Sequence, residues 1–149
     1  MTWVNQSHIL LTGGIIGNDY HSAASYLYSE ETGFTRIEDM KTSRTSHGCS
    51  LINESLVFVA GGNKGSNFNR NSTEYLDLAT LTWFDGPELP GDVGDASMTG
   101  DILVGGEEKI FKLEKLGLSV EQWQWVEVGK LKDSRRNFQA FVISQKFCN

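Results

Sequence analysis

Leu56-Val57-Phe58-Val59-Ala60-Gly61-Gly62 is a short apolar run closed by two glycines, and the pattern recurs. Ile9-Leu10-Leu11-Thr12-Gly13-Gly14 precedes it and Ile102-Leu103-Val104-Gly105-Gly106 follows it. The first glycines stand 48 and then 44 residues apart, so the chain reads as a tandem array. The runs lack the alternation of a half-wetted strand, which points to strands covered on both faces. A glycine pair ends such a strand where the chain leaves the sheet in conformations a Cβ disfavours, or where neighbouring groups pack close.

The sequence behind each doublet repeats as well. After Gly62 comes Thr73-Glu74-Tyr75-Leu76-Asp77-Leu78-Ala79-Thr80-Leu81-Thr82-Trp83, which reads as a strand, a polar turn and a Trp opening the next strand. After Gly14 the same slots hold Ser25-Tyr26-Leu27-Tyr28 and then Phe34, and after Gly106 they hold Lys109-Ile110-Phe111-Lys112-Leu113 and then Trp123 or Trp125. Counted from the first glycine, Phe34, Trp83 and Trp125 fall at offsets of 21, 22 and 20. The Leu113/Leu116 spacing would suit a helix, but the place of this segment behind a diglycine argues for strand and turn.

This arrangement resembles the kelch repeat, the unit of a family of β-propellers, and the resemblance covers nearly the whole chain. The family pattern runs diglycine, Tyr-Asp, Trp and then a Pro-Arg step. The middle copy matches best through Gly61, Gly62, Tyr75, Asp77 and Trp83. In the first, Phe34 replaces Trp, and Arg44 lies in a segment like the Pro-Arg step. In the third, Phe111 stands for the Tyr, no Asp follows, and Asp133-Ser134-Arg135-Arg136 occupies the Arg segment. The resemblance implies an all-β fold, a kelch-type propeller fragment of about three four-stranded antiparallel blades. Residues 1–149 form one domain, with repeats at roughly 8–52, 53–101 and 102–149. Gly13, Gly14, Gly61, Gly62, Tyr75, Asp77, Trp83, Gly105, Gly106 and Trp125 are then structural residues, the large rings filling the wedge between blades.

If the diglycine closes the second strand of each blade, the chain opens on a second strand near residues 8–12 and ends on a first strand at 138–143. The last blade is then split between the two ends. Propellers close at about four to eight blades, so three are too few. Two explanations follow: a segment of a longer kelch protein, or a homodimer completing a six-bladed ring.

Composition narrows the partners. Net charge is −6 over 149 residues with no basic stripe, which argues against nucleic acid and anionic membrane surfaces. No apolar stretch approaches the roughly 20 residues of a membrane span. The start lacks the charged lead and apolar core of a signal peptide. Cys49 and Cys148 give no disulfide framework. Against a cytoplasmic expectation stand three glycosylation sequons at Asn5, Asn53 and Asn71, which keep an extracellular placement as the alternative.

Catalytic patterns are sparse. His8, His21 and His47 occupy different parts of the repeat, His47-Gly48-Cys49 lacks zinc spacing, and Asp92, Asp95 and Asp101 lack calcium-loop spacing. The expectation is a binding protein with no cofactor, metal site or catalytic residue. Binding residues concentrate on loops held by a rigid scaffold. The resemblance places partners against the loops after second strands and between blades, here residues 15–22, 41–46, 63–71, 86–95 and 132–137. These supply Tyr20, His21, Arg44, Phe68, Arg70, Arg135 and Arg136, with Arg as a fork for acidic groups and the rings as contact area. An acidic or turn-forming protein segment is the expected partner, and resemblance extends this to a ubiquitin-ligase substrate adaptor or a cytoskeletal, actin-associated scaffold. The rival is a kelch-like propeller enzyme such as a copper oxidase, which would need convergent Tyr, His and Cys ligands.

Overall fold

The computed structural model describes residues 1–5, 7–18, 20–63, 71–105, 108–133 and 138–141. Among them the chain is all-β, in antiparallel sheets, with one 3-10 turn at Val120–Gln122. The first sheet orders β1 (Thr2–Trp3), β2 (Ile9–Thr12), β5 (Ser25–Ser29) and β6 (Gly33–Arg36), and β3 (Ile15–Ile16) pairs with β4 (Tyr20–His21) as a separate hairpin. The second sheet is β7 (Gly48–Asn53), β8 (Leu56–Ala60), β9 (Thr73–Asp77) and β10 (Thr82–Asp85). The third is β11 (Ser97–Thr99), β12 (Ile102–Val104), β13 (Lys109–Lys115) and β14 (Trp123–Lys130). Each four-stranded sheet is a meander, every strand pairing with its sequence neighbours within that sheet.

The phase of the array differs from the sequence expectation. The chain opens on a first strand: β1 pairs with β2 through Thr2↔Leu10 and Trp3↔Ile9, so the first sheet is complete without residues from the other end. The turn that makes this possible is side-chain driven. Asn5 Oδ1 accepts from the Ser7 amide at 2.9 Å and the His8 amide at 2.8 Å, and Asn53 Oδ1 accepts from the Ser55 and Leu56 amides, each at 2.9 Å. Asn carboxamides commonly nucleate turns in this way, so the Asn residues of two of the three sequons set equivalent turns. At the far end, residues 138–141 are not in a strand; the Ala140 amide donates to Ser97 Oγ at 2.8 Å beside β11. Residues 142–143 of the expected last strand lie outside the described residues.

Strand register fixes which residues are equivalent. Trp83 stands opposite Leu76, Trp125 opposite Leu113 and Phe34 opposite Tyr28. Tyr75 pairs with Phe58, three residues before Gly61, and Leu27 pairs with Leu10, three residues before Gly13. Phe111 pairs with Leu103, two residues before Gly105, so it occupies the place of Glu74, and Lys112 takes the place given to Tyr. The loop before β13 is shorter than the one before β9, which displaced the alignment by one residue. Asp77 closes the turn after β9: its carboxylate accepts the Ala79 amide at 2.8 Å.

Two apolar clusters hold the sheets together. Leu10 of the first sheet joins Val57, Val59, Leu76 and Trp83 of the second. The opposite face of the second sheet, through Phe58 and Ala60, joins Leu103, Phe111, Leu113, Trp123 and Trp125 of the third. The second sheet is thus apolar on both faces, as its unbroken Leu-Val-Phe-Val-Ala run requires. Trp83 is 1% exposed, and its indole N–H donates to the Glu38 carbonyl at 3.0 Å across the first seam. Tyr75 stacks between Phe58 and Phe84, each at 5.4 Å.

The glycine doublets sit where the sheets are stitched. Gly13 and Gly14 have φ of 68° and 98°, and Gly61 and Gly62 have 66° and 91°. A Cβ on Gly13 would lie 2.6 Å from the Arg44 carbonyl oxygen, and one on Gly61 would lie 2.6 Å from that of Val93. Gly105 lacks the left-handed φ but is crowded by the Val93 side chain, and Gly106 lies outside the described residues.

The first strands lie side by side, β7 next to both β1 and β11. They flank a cavity of about 420 Å³ lined by Met1–Trp3, His47, Cys49, Ser50, residues 96–99 and residues 138–141.

Candidate functional site

The loops after the second strands of the first two sheets and the connectors between sheets meet in one hydrogen-bonded band. Gly14 N–H donates to the Arg44 carbonyl at 2.8 Å and Arg44 N–H to the Ser22 carbonyl at 3.0 Å. Thr45 and Asn63 exchange both backbone bonds, at 3.1 and 2.8 Å. Gly62 N–H donates to the Val93 carbonyl at 2.8 Å, and Leu89 N–H to the Asn71 carbonyl at 2.8 Å. Segments 15–22, 41–46 and 86–95, with Asn63 and Asn71, are therefore tied together on one side of the array.

The expected partner-binding residues separate on this scaffold. Tyr20 is 77% exposed and His21 half-buried, on the β3–β4 hairpin beside Gly14. Phe68, Arg70, Arg135 and Arg136 lie outside the described residues. Arg44 is not on the surface. Its side chain is fully buried, bonded through Nη1 to the carbonyls of Gly61 at 2.9 Å and Ser72 at 2.8 Å. Its Nη2 reaches Ser72 Oγ and Glu74 Oε1, each at 3.0 Å, and Nε reaches the same carboxylate oxygen at 3.2 Å. Glu74 Oε2 accepts the Lys41 amide at 2.7 Å. The pair anchors the connector onto the second sheet. The fork that suits an acidic ligand is spent on an internal carboxylate and two internal carbonyls.

The residues that sequence reading missed are apolar. Ile15 and Ile16 are 59% and 60% exposed, and with Tyr20 they make a projecting hydrophobic hairpin. The available signal was an Ile pair placed just behind a strand-ending diglycine, where a packing role was already complete.

Beneath this band His47 and Cys49 are held in their neutral forms. Burial holds the His47 imidazole down at about 3, with the Met1 amino group and the Arg44 charge adding to the effect. Burial likewise pushes the Cys49 thiol up to about 11, away from nucleophilic or thiolate chemistry near neutral pH. Among the described residues no group of three or more His, Cys, Asp or Glu side chains is placed to hold a metal ion. Nor, among them, is any helix long and apolar enough to cross a membrane.

Comparison with known proteins adds no family. No family model matches the chain, and no curated protein matches it. What is established is an all-β chain of antiparallel sheets that pack in sequence order.

Proposed function

We propose that this chain is part of a kelch-type β-propeller acting as a protein-binding module, its partner engaging the loop band around the β3–β4 hairpin. The observation that carries the reading is that band itself. Loops of the first two sheets and the connectors leading to the second and third are fastened on one side by backbone hydrogen bonds, and exposed Ile15, Ile16 and Tyr20 project beside them. Rigid support under an aromatic and two aliphatic residues is the arrangement in which a few side chains carry most of an interface's energy. Three sheets of like topology, with their first strands around a shared cavity, support the propeller assignment.

With Arg44 internal, the described part of the band favours a partner segment with an apolar anchor over a purely acidic one. The roles of ubiquitin-ligase substrate adaptor and cytoskeletal scaffold rest on the repeat pattern alone. The test is affinity capture from cell extract with wild type and with Ile16→Asp plus Tyr20→Ala. Both side chains are exposed, so melting should not change. Loss of the captured protein at least tenfold is the expected result; undiminished capture would refute the assignment of this face.

A further inference from the structure

Phe34, Trp83 and Trp125 occupy one structural position in three sheets, yet their surroundings differ. Trp83 is 1% exposed and Trp125 4%, whereas Phe34 is 64% exposed. Phe34 is not alone. Trp3, Ile9, Leu11, Tyr26 and Tyr28 lie on the same face, because Trp3 pairs with Ile9, Ile9 with Tyr28, Leu11 with Tyr26, and Tyr28 with Phe34. Phe34 and Tyr28 rest on each other at 4.9 Å. An aromatic and aliphatic sheet face of this extent marks an interaction surface.

The chain itself shows what covers a face of this kind. At the first seam the corresponding face of the second sheet, with Trp83, is covered by Leu10 and Leu27 of the sheet before it. At the second seam the corresponding face of the third sheet, with Trp125, is covered by Phe58 and Tyr75. In both cases the cover is the opposite face of another sheet of the array. The third sheet keeps that covering face open: Ile102 stands at the place of Leu10 and Phe58, and Lys112 at the place of Leu27 and Tyr75, with Ile110 and Val126 alongside.

We infer that a second copy of this chain covers the open face of the first sheet with the open face of its own third sheet, and that the reciprocal contact closes a two-fold ring of six sheets. This rests on reading the sheets as successive wedges about an axis. Three wedges are too few to close, and six fall within the usual range of about four to eight. Lys112 is chemically suited to its place, since its ammonium would meet the rings of Tyr28 and Phe34, and cations are drawn to aromatic faces. A contact between unlike faces closes only if the rotation per sheet allows it and otherwise gives filaments, so closure is itself a testable claim.

The test is the mass of the purified chain by light scattering through a dilution series, with Phe34→Lys and Ile110→Lys, one change on each open face. Wild type should give twice the chain mass, and each variant the mass of one chain with an unchanged strand signal in circular dichroism. An equimolar mixture of the two variants should regain the doubled mass, because each retains the face the other has lost. A wild-type mass of one chain, an open ladder of larger species, or a dimer surviving either substitution would overturn the inference. Small-angle scattering of the dimer should show a compact disc, and an elongated particle would overturn ring closure and the wedge reading together. None of these measurements involves the loop-face partner, so a monomer here leaves the binding proposal standing, and lost capture there leaves this one standing.

Discussion

At the seam between the first and second sheets, the carbonyl of Arg44 accepts the amide of Gly14; at the next seam, the carbonyl of Val93 accepts that of Gly62. The backbone geometry is shared, and the side chains beneath it are opposites. Arg44 enters a fully buried ion pair with Glu74, whereas Val93 packs in the cluster of Phe58, Leu103 and Trp125. The place of Glu74 in the third sheet is taken by Phe111. An ion pair removed from water gives little net stability when intact but fails badly when halved, while a hydrocarbon contact loses roughly in proportion to what is removed. The two seams should therefore break in different ways.

The largest effect is expected from Arg44→Ala. It strands the Glu74 carboxylate in a dry seam and should cost about 3 to 5 kcal/mol by urea denaturation. The sharper version is Arg44→Met with Glu74→Leu, which should recover most of that loss, as buried pairs replaced by hydrocarbon often do. A double variant as unstable as Arg44→Ala would mean that the bonds to Gly61 and Ser72 carry the seam instead.

Trp83→Ala is expected to cost about 3 to 5 kcal/mol, as large core truncations do. Phe34→Ala, at the equivalent position, should change the stability of the single chain by no more than about 0.5 kcal/mol. Equal losses at the two sites, measured in the same denaturant series at a dilution where light scattering gives the mass of one chain, would show that the first sheet's outer face is covered within one chain.

A further effect depends on pH. The folded chain keeps His47 neutral down to about 3, while the unfolded chain protonates it near the ordinary value of 6.5. Between those values the unfolded state binds the extra proton, so stability falls as pH falls through the window and the loss stops growing below it. Between neutral pH and about pH 4.5 this contributes about 2 to 3 kcal/mol, which His47→Gln should remove. His47 packs between Gly13 and Gly62, so an unchanged pH profile in that variant would show that the first seam admits water.

The three sheets were legible because diglycines, apolar runs and large rings recur at offsets that only a repeated unit explains. The phase was less so. A two-residue strand such as Thr2–Trp3 has no period to read, and Asn5, whose carboxamide sets the turn that pairs it, also opens a modification motif. The burial of Arg44 was hidden for a different reason. Its counter-charge lies 30 residues away, inside a segment that reads as an ordinary strand, and nothing local distinguishes it from a rim Arg. The β3–β4 hairpin, at two residues per strand, is likewise below the length at which alternation can be seen.

Because Gly14 and Gly62 each meet the following connector through a main-chain oxygen, the bond itself does not dictate the side chain at the receiving position, as the exchange of Arg44 for Val93 shows. A repeated unit can thus keep its main-chain stitch while the side chains beneath it take unlike roles, an ion pair at one junction and hydrocarbon at the next.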